Sequence, residues 1–362
     1  MSWIYKGLNL IFSYLRYSQI CPKLCGVVKY SPRFGQQTFI NGSIWYPQLM
    51  KQPILDKIDL RIIQVLAKDC RVSYRNIASV VGLSTKSVRA RIIKMVSGGV
   101  IEKFFVYINP AVLGYGTECI LKMRHNEQAE NVINRLNLLG DLFLHVKQIG
   151  GTSVFSLVVK TGSENKIPLL IDSLKPTIIQ SMFVSRPHVQ KGPKELDFKI
   201  IKCLLPNPRM NISEIARKLS ISAKTASRRL ETMKENNIVQ FSVLVNPAST
   251  GGYIQFVIVI SVKETLYQYV LERINRELSG NLLLQAPVTS PDNLIVLIMF
   301  SQDIFTVDSI LRKVESFDGV DRAELDILTG ITLSQDWMIN EIEQRLKKVE
   351  QIYSKNQMKH NR

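Results

Sequence analysis

Acidic residues are scarce in this chain, and none occurs before Asp56. Against 30 Asp and Glu stand 47 Lys and Arg, a net charge of +17. That balance points to a polyanionic partner, most simply nucleic acid, with anionic lipid as the alternative. Cysteine is also sparse. The five (Cys21, Cys25, Cys70, Cys119 and Cys203) are odd in number and scattered. Only Cys21 and Cys25 lie close together, and no second Cys or His pair follows to complete a zinc site. A disulfide framework and a metal centre are therefore not expected, and a reducing cytoplasm is. No run reaches the roughly 20 apolar residues that span a bilayer, so no transmembrane segment is expected. The apolar start is broken by Lys6 and Arg16, leaving an amphipathic membrane-surface helix as the one lipid-facing alternative. Residues 1–49 lack a sustained apolar period; we expect an N-terminal extension that is poorly ordered, or a true start at Met50. The chain also lacks a Gly-rich phosphate loop with Lys and Ser/Thr, and it lacks a nucleophile elbow. No catalytic residue, cofactor or enzymatic activity is expected on those grounds.

What the chain does have is self-similarity. The segment beginning at Ile58 repeats from Leu196 in constant register: Asp59 matches Asp197, Ile62-Ile63 match Ile200-Ile201, Ala78 matches Ala216, Ser84 matches Ser222, Arg91 matches Arg229 and Met95 matches Met233. One residue is lost before Asn109-Pro110 and its counterpart Asn246-Pro247. Two copies of about 140 residues follow, the size of a small domain pair each.

Each copy opens with three helical patterns. In the first, Ile58, Ile62, Val65 and Leu66 recur at helical spacing from about residue 57 to 68. Ser73 is placed to cap a second helix, Gly82 to make the turn, and Ser84 to cap a third helix with Val88, Ile92 and Met95 inward. In the second copy Asn211, three residues before Glu214, resembles a capping box. A strand-like run then marks a wing or a linking ribbon. The remainder of copy 1 reads as strands at 118–123, 142–148, 154–160 and 178–184, with helices at 127–138 and 166–174. Copy 2 gives strands at 255–262, 282–287, 294–300 and 322–328, with helices at 266–278 and 304–316. The order βαββαβ predicts an antiparallel sheet with both helices on one face. Residues 335–355 read as a charged C-terminal helix that either packs on the body, mediates assembly or is solvated.

The fold class expected is α+β: a tandem of winged helix-turn-helix plus ferredoxin-like βαββαβ domains, two copies in one chain. The boundaries are 54–108 and 109–190, then 194–245 and 246–332.

In a helix-turn-helix the second helix of the motif enters the major groove and its first residues meet base edges. The outward residues there are Thr85, Lys86, Arg89 and Ala90 in copy 1, and Ala223, Lys224, Ser227 and Arg228 in copy 2. Lys and Arg suit phosphate oxygens and guanine edges, and hydroxyls suit either. The candidate DNA-binding set is Ser84, Thr85, Lys86, Ser87, Arg89 and Arg91, with Ser222, Lys224, Thr225, Ser227, Arg228 and Arg229. Arg91 and Arg229 have an alternative role as salt-bridge partners of the motif's own acids.

Both copies resemble the Lrp/AsnC family of prokaryotic regulators. The resemblance rests on the Ile-Asp or Leu-Asp opening the first helix, the Ile-Ala of the second, the Leu-Ser or Ile-Ser at the turn, Arg91 or Arg229, and the linker Asn-Pro. It implies a DNA-binding transcriptional regulator whose ferredoxin-like domains pair and often bind an amino acid. It also implies an intramolecular pseudo-dimer with the two sheets face to face, and higher homo-oligomers as a further option. Amino-acid binders of the family carry Gly-x-x-Asp between the second and third strands. Here the corresponding residues are Gly150-Gly151-Thr152-Ser153, with no Asp, and Thr289-Ser290-Pro291-Asp292, with no Gly in step. Gly150, Gly151 and Asp292 are the effector candidates, or plain hairpin residues.

The tandem architecture also resembles siroheme decarboxylases. Those have His-Arg where this chain has the two Asn-Pro pairs, and functional histidines in the second domain. The histidines here are His125, His145, His188 and His360. His145, on a predicted strand, stands nearest such a place, with a satisfied structural histidine as the alternative. A protein adaptor built on the same fold is the third reading.

Overall fold

The computed structural model describes residues 54–125, 128–174, 177–184, 189, 192–286 and 293–360. Residues 1–53, with the expectations about the N-terminal extension, lie outside the described residues, as do His188 and Asp292.

The first head consists of α1 (Lys57–Lys68), α2 (Tyr74–Val81) and α3 (Thr85–Ser97). Asp56 caps α1 by accepting from the Asp59 amide at 2.8 Å, while Asp59 accepts back from the Asp56 amide at 3.2 Å. Two orphan N–H groups are satisfied by that exchange. Ser73 accepts from Asn76 N at 3.1 Å and starts α2. The second head repeats the plan with α6 (Glu195–Leu204), α7 (Ile212–Leu219) and α8 (Ala223–Glu235). Asn211 accepts from Glu214 N at 2.7 Å, so the cap expected from the sequence forms.

Each head is followed by one strand, β1 (Ile101–Ile108) or β6 (Val239–Val245), and these pair with each other antiparallel. The linking ribbon, of the two expectations, is what forms. Phe104 pairs with Val243, Phe105 with Ser242 and Val106 with Phe241. Since Phe104 and Phe241 are matched residues of the repeat, exchanging the copies maps this register onto itself.

The ribbon also completes both cores. Val243 and Val245 of β6 pack with Ile62, Ile63, Leu66 and Met95 of the first head. Val106 and Ile108 of β1 pack with Ile200, Ile201, Leu230 and Met233 of the second. Each of these fully buried aliphatic side chains contributes about 1.5–3 kcal/mol.

After a short turn capped by Asn109 or Asn246, each copy forms its βαββαβ domain. In copy 1 these are β2 (Tyr115–Arg124), α4 (Ala129–Leu136), β3 (Asp141–Gln148), β4 (Thr152–Lys160), α5 (Ile167–Leu174) and β5 (Ile178–Val184). In copy 2 they are β7 (Ile254–Val262), α9 (Tyr267–Glu277), β8 (Leu282–Ala286), β9 (Leu294–Ser301), α10 (Ile304–Glu315) and β10 (Val320–Leu333). The sheet orders β5-β2-β4-β3 and β10-β7-β9-β8 are the ferredoxin-like order, and the β3–β10 edge joins them into eight strands. β10 is longer than its sequence pattern suggests. Val320 to Ile327 pair with β7, and from Leu328 onward the strand pairs with β3. The helix-free sides of the two sheets also meet, where Lys122 of β2 grips both carboxylate oxygens of Asp326 of β10 at 2.7 and 2.9 Å.

The C-terminal helix α11 (Asp336–His360) packs on the body through its first turns. Trp337, Met338, Ile342 and Leu346 join the core that holds Phe143 of β3 and Phe198 of α6.

Candidate nucleic-acid interface

The α2–α3 turn is made by Gly82 at φ +70°, ψ +31°, a left-handed conformation that costs glycine little. Its counterpart Ser220 adopts φ +54°, ψ +42° without that freedom. Two residues on, Ser84 and Ser222 cap α3 and α8. Ser84 Oγ accepts from Ser87 N at 3.1 Å and lies 2.8 Å from Ser87 Oγ. Ser222 Oγ accepts from Thr225 N at 3.0 Å and lies 2.9 Å from Thr225 Oγ1. Of the sequence candidates, these four hydroxyls build the helix N-termini. The same four groups remain at the positive end of a helix dipole, where backbone N–H groups favour an anion.

Thr85, Lys86, Arg89, Lys224, Ser227 and Arg228 are all exposed on these two helices. Among the described residues, no ion pair engages Lys86, Arg89, Lys224 or Arg228. Arg91 and Arg229 sit differently. Arg91 Nη1 donates to Asp56 Oδ2 at 2.7 Å and to Asp59 Oδ1 at 2.8 Å. Burial raises the Asp56 carboxyl pKa, but the Asp59 amide and Arg91 outweigh it and hold the pKa below its ordinary value. Arg229 binds both oxygens of the buried Asp197, with Nε at 2.7 Å from Oδ1 and Nη2 on Oδ2. Both arginines therefore tie the recognition helix to the first helix of their own head, the alternative role read from the sequence.

Charge is distributed accordingly. Residues 54–100 hold nine Lys and Arg against three Asp and Glu, and residues 194–238 hold ten against five. Residues 1–53 add six cations and no acids, while the 22 cations and 22 acids elsewhere cancel. Each head is thus net positive, whereas the second sheet domain, residues 246–332, holds six Lys and Arg against eleven Asp and Glu.

The effector candidates Gly150 and Gly151 form the β3–β4 turn at φ +82° and +76°, the positive values of a tight hairpin, with open space where a side chain would project. His145 is buried, stacked on Phe155 with ring centroids 4.5 Å apart, and its Nε2 lies 3.2 Å from Ser153 Oγ. Burial, helped by Lys147 and His125, pushes its pKa down to about 4. It is a neutral core histidine.

Sequence reasoning missed Arg71 and Arg209. They lie in the loops before α2 and α7, and each reaches the opposite head. The signal was present, because the two are matched residues of the repeat.

Comparison with known proteins agrees with this geometry. The AsnC-type helix-turn-helix domain matches residues 55–96, and a winged helix-turn-helix DNA-binding domain matches residues 194–240. The HTH-type transcriptional regulator FL11 of Pyrococcus abyssi is 33% identical over 113 residues, covering 31% of this chain and 72% of that protein. The chain belongs to the Lrp/AsnC family. A second relative in that family, the regulator Ptr1 of Methanocaldococcus jannaschii, is 27% identical over 126 residues, 34% of this chain and 85% of its own. Among solved structures, the siroheme decarboxylase NirDL overlies 83% of this chain and 100% of its own with a TM-score of 0.46 and 16% identity. Helix-turn-helix models thus match both heads, the AsnC type in the first and a winged type in the second.

Proposed function

We propose that this chain is a sequence-specific DNA-binding transcriptional regulator that acts as an intramolecular pseudo-dimer. The observation that carries this reading is the pair of capped helices, α3 and α8, whose exposed first two turns present Lys86, Arg89, Lys224 and Arg228, none of them in an ion pair among the described residues. Such groups neutralise phosphates and reach guanine edges. The heads differ in sequence, so the preferred site is an imperfect palindrome. The self-exchanging register of β1 with β6 supports the pseudo-dimer.

The test is a titration against genomic fragments, including the region upstream of its own reading frame, at several salt concentrations. Selective binding that survives moderate salt is the expected outcome. Lys86→Ala with Lys224→Ala should weaken binding to all sequences and lower the salt slope by about 2, since each phosphate contact adds about 1. An unchanged circular dichroism spectrum and unfolding midpoint would show the fold intact. Unselective binding that vanishes with salt would overturn the regulator reading.

Control by a small effector is the second part of the proposal. A groove of about 370 Å3 lies between the sheets, with Ser181, Phe183, Val259, Ser261, Arg322 and Glu324 among its walls. Arg322 and Glu324, which pair with each other at 2.8 Å beside apolar side chains, would exchange that pairing for the two charged ends of a zwitterion such as an amino acid. Thermal shift with the twenty amino acids checks it, a shift in none being the contrary result.

A further inference from the structure

The heads touch each other at a second place besides the ribbon. Arg71 donates to the carbonyl oxygens of Pro208 and Met210, the latter at 2.8 Å, and its guanidinium lies 5.3 Å from the Phe241 ring centroid. Arg209 donates to the carbonyl oxygens of Cys70 and Val72, the latter at 3.4 Å, and lies 5.3 Å from the Phe104 ring. The carbonyl acceptors and the Phe partners have counterparts: 71 with 209, 70 with 208, 72 with 210, and Phe104 with Phe241. That core of the contact is isologous, as at a two-fold interface, while Arg209 in addition lies 4.8 Å from the Tyr74 ring, where the repeat has Ile212.

Several features separate this contact from a passive tether. The acceptors are main-chain carbonyls, so the bonds fix backbone positions rather than mobile side-chain tips. The guanidinium fork reaches two carbonyls at once, which a lysine ammonium does not reproduce. Burial lowers the Arg71 pKa, with Asp69 and Glu231 opposing and Arg209 adding to that shift, so the loops come together against desolvation. Lys234 adds a pair with Asp69 at 2.9 Å across the same junction. These loops lead directly into α2 and α7, the helices on which α3 and α8 are packed.

We infer that Arg71 and Arg209 are positioning residues that lock the two recognition helices at one separation and orientation, so that the chain accepts a single half-site spacing. This rests on the DNA-binding reading. In a paired helix-turn-helix, half-site spacing mirrors whatever rigidly joins the heads. With both clamps in place, a site lengthened by half a helical turn presents its second half on the wrong side of the duplex, and one head loses its base contacts.

The experiment uses the full chain with Arg71→Lys and Arg209→Lys combined, which keeps the charge and removes the fork. Three duplexes are compared: a selected site at its native spacing, the same site with about 5 bp inserted, half of a turn of roughly 10 bp, and a single half-site. The wild type is expected to prefer native spacing by about tenfold or more, the least that losing one head's base contacts costs. The double variant is expected to narrow that preference to within about threefold while its single half-site affinity stays within about twofold. The Cys70 amide, which donates to Phe241 O at 3.2 Å, should also lose hydrogen-exchange protection in the free variant. An undiminished spacing preference in the variant would overturn the inference while leaving DNA binding intact. Parallel loss of all three duplexes would overturn it as well, by assigning the arginines to stability alone. A wild type that binds no duplex selectively would instead sink the DNA-binding reading itself, and the spacing lock with it.

Discussion

Gly82 and Ser220 occupy the same place in the two helix-turn-helix turns, and both are left-handed. A residue with a Cβ pays about 1–2 kcal/mol for that conformation. Ser220→Gly should therefore stabilise the second head by up to about 1 kcal/mol after the added flexibility of the unfolded chain is subtracted. The urea midpoint reads this, and an unchanged or lower midpoint would contradict it. His145 makes a second prediction. Its pKa near 4 in the fold lies below the ordinary 6.5 of the unfolded chain. Between those values the unfolded state binds a proton that the folded state refuses, so stability falls as pH falls from about 6.5 toward 4 and is undiminished above 6.5. His145→Gln should flatten the dependence of the unfolding midpoint on pH between 6.5 and 5, above the carboxylate range. An equally steep dependence in the variant would assign the slope elsewhere.

Elements follow the sequence pattern closely where local chemistry decides their ends. The caps at Asp56, Ser73, Ser84, Asn211 and Ser222 all accept from the amide three residues on. The pattern failed at β10, read as 322–328 but running from Val320 to Leu333. Its extension exists because Ile331, Thr332 and Leu333 find Val146, His145 and Leu144 of β3, a partner more than 180 residues earlier. α11 is decided by tertiary contact too. Trp337 is 4% exposed and meets Tyr115 edge-on at 4.8 Å. Trp337→Ala should cost about 3–5 kcal/mol, measured by chemical denaturation. A loss below about 1 kcal/mol would mean that α11 merely rests on the surface.

At the scale of the molecule, the copies exchange parts. Strand β6 closes the core of the first head and β1 that of the second. Gln64 of α1 donates to Leu282 O at 2.7 Å, so the first head leans on the second copy's sheet, while Phe143 of the first copy's sheet lies in the second head's core. Residues 54–193 alone would expose the apolar faces of α1 and β1. That fragment should form a homodimer with the missing strand supplied by a second copy. Light scattering after size exclusion checks this, and a stable monomer with native-like melting would show the exchange to be dispensable.

The sequence by itself determined the repeat, the helix caps, the ferredoxin-like strand order and the exposed cations of α3 and α8. Each of these is written in residue types a few positions apart, through periodicity, capping chemistry and the absence of neighbouring acids. Tertiary structure alone decided the pairing of β1 with β6, the reach of β10 onto β3, the burial of α11 and the crossed grip of Arg71 and Arg209. Those contacts join residues from about 130 to over 200 positions apart. Their strength comes from apolar area and main-chain carbonyls brought together by folding, which no local pattern encodes. Arg91 and Arg229 stand between the two cases: the sequence presented both the groove and the salt bridge, and only the position of Asp59 and Asp197 selected the salt bridge.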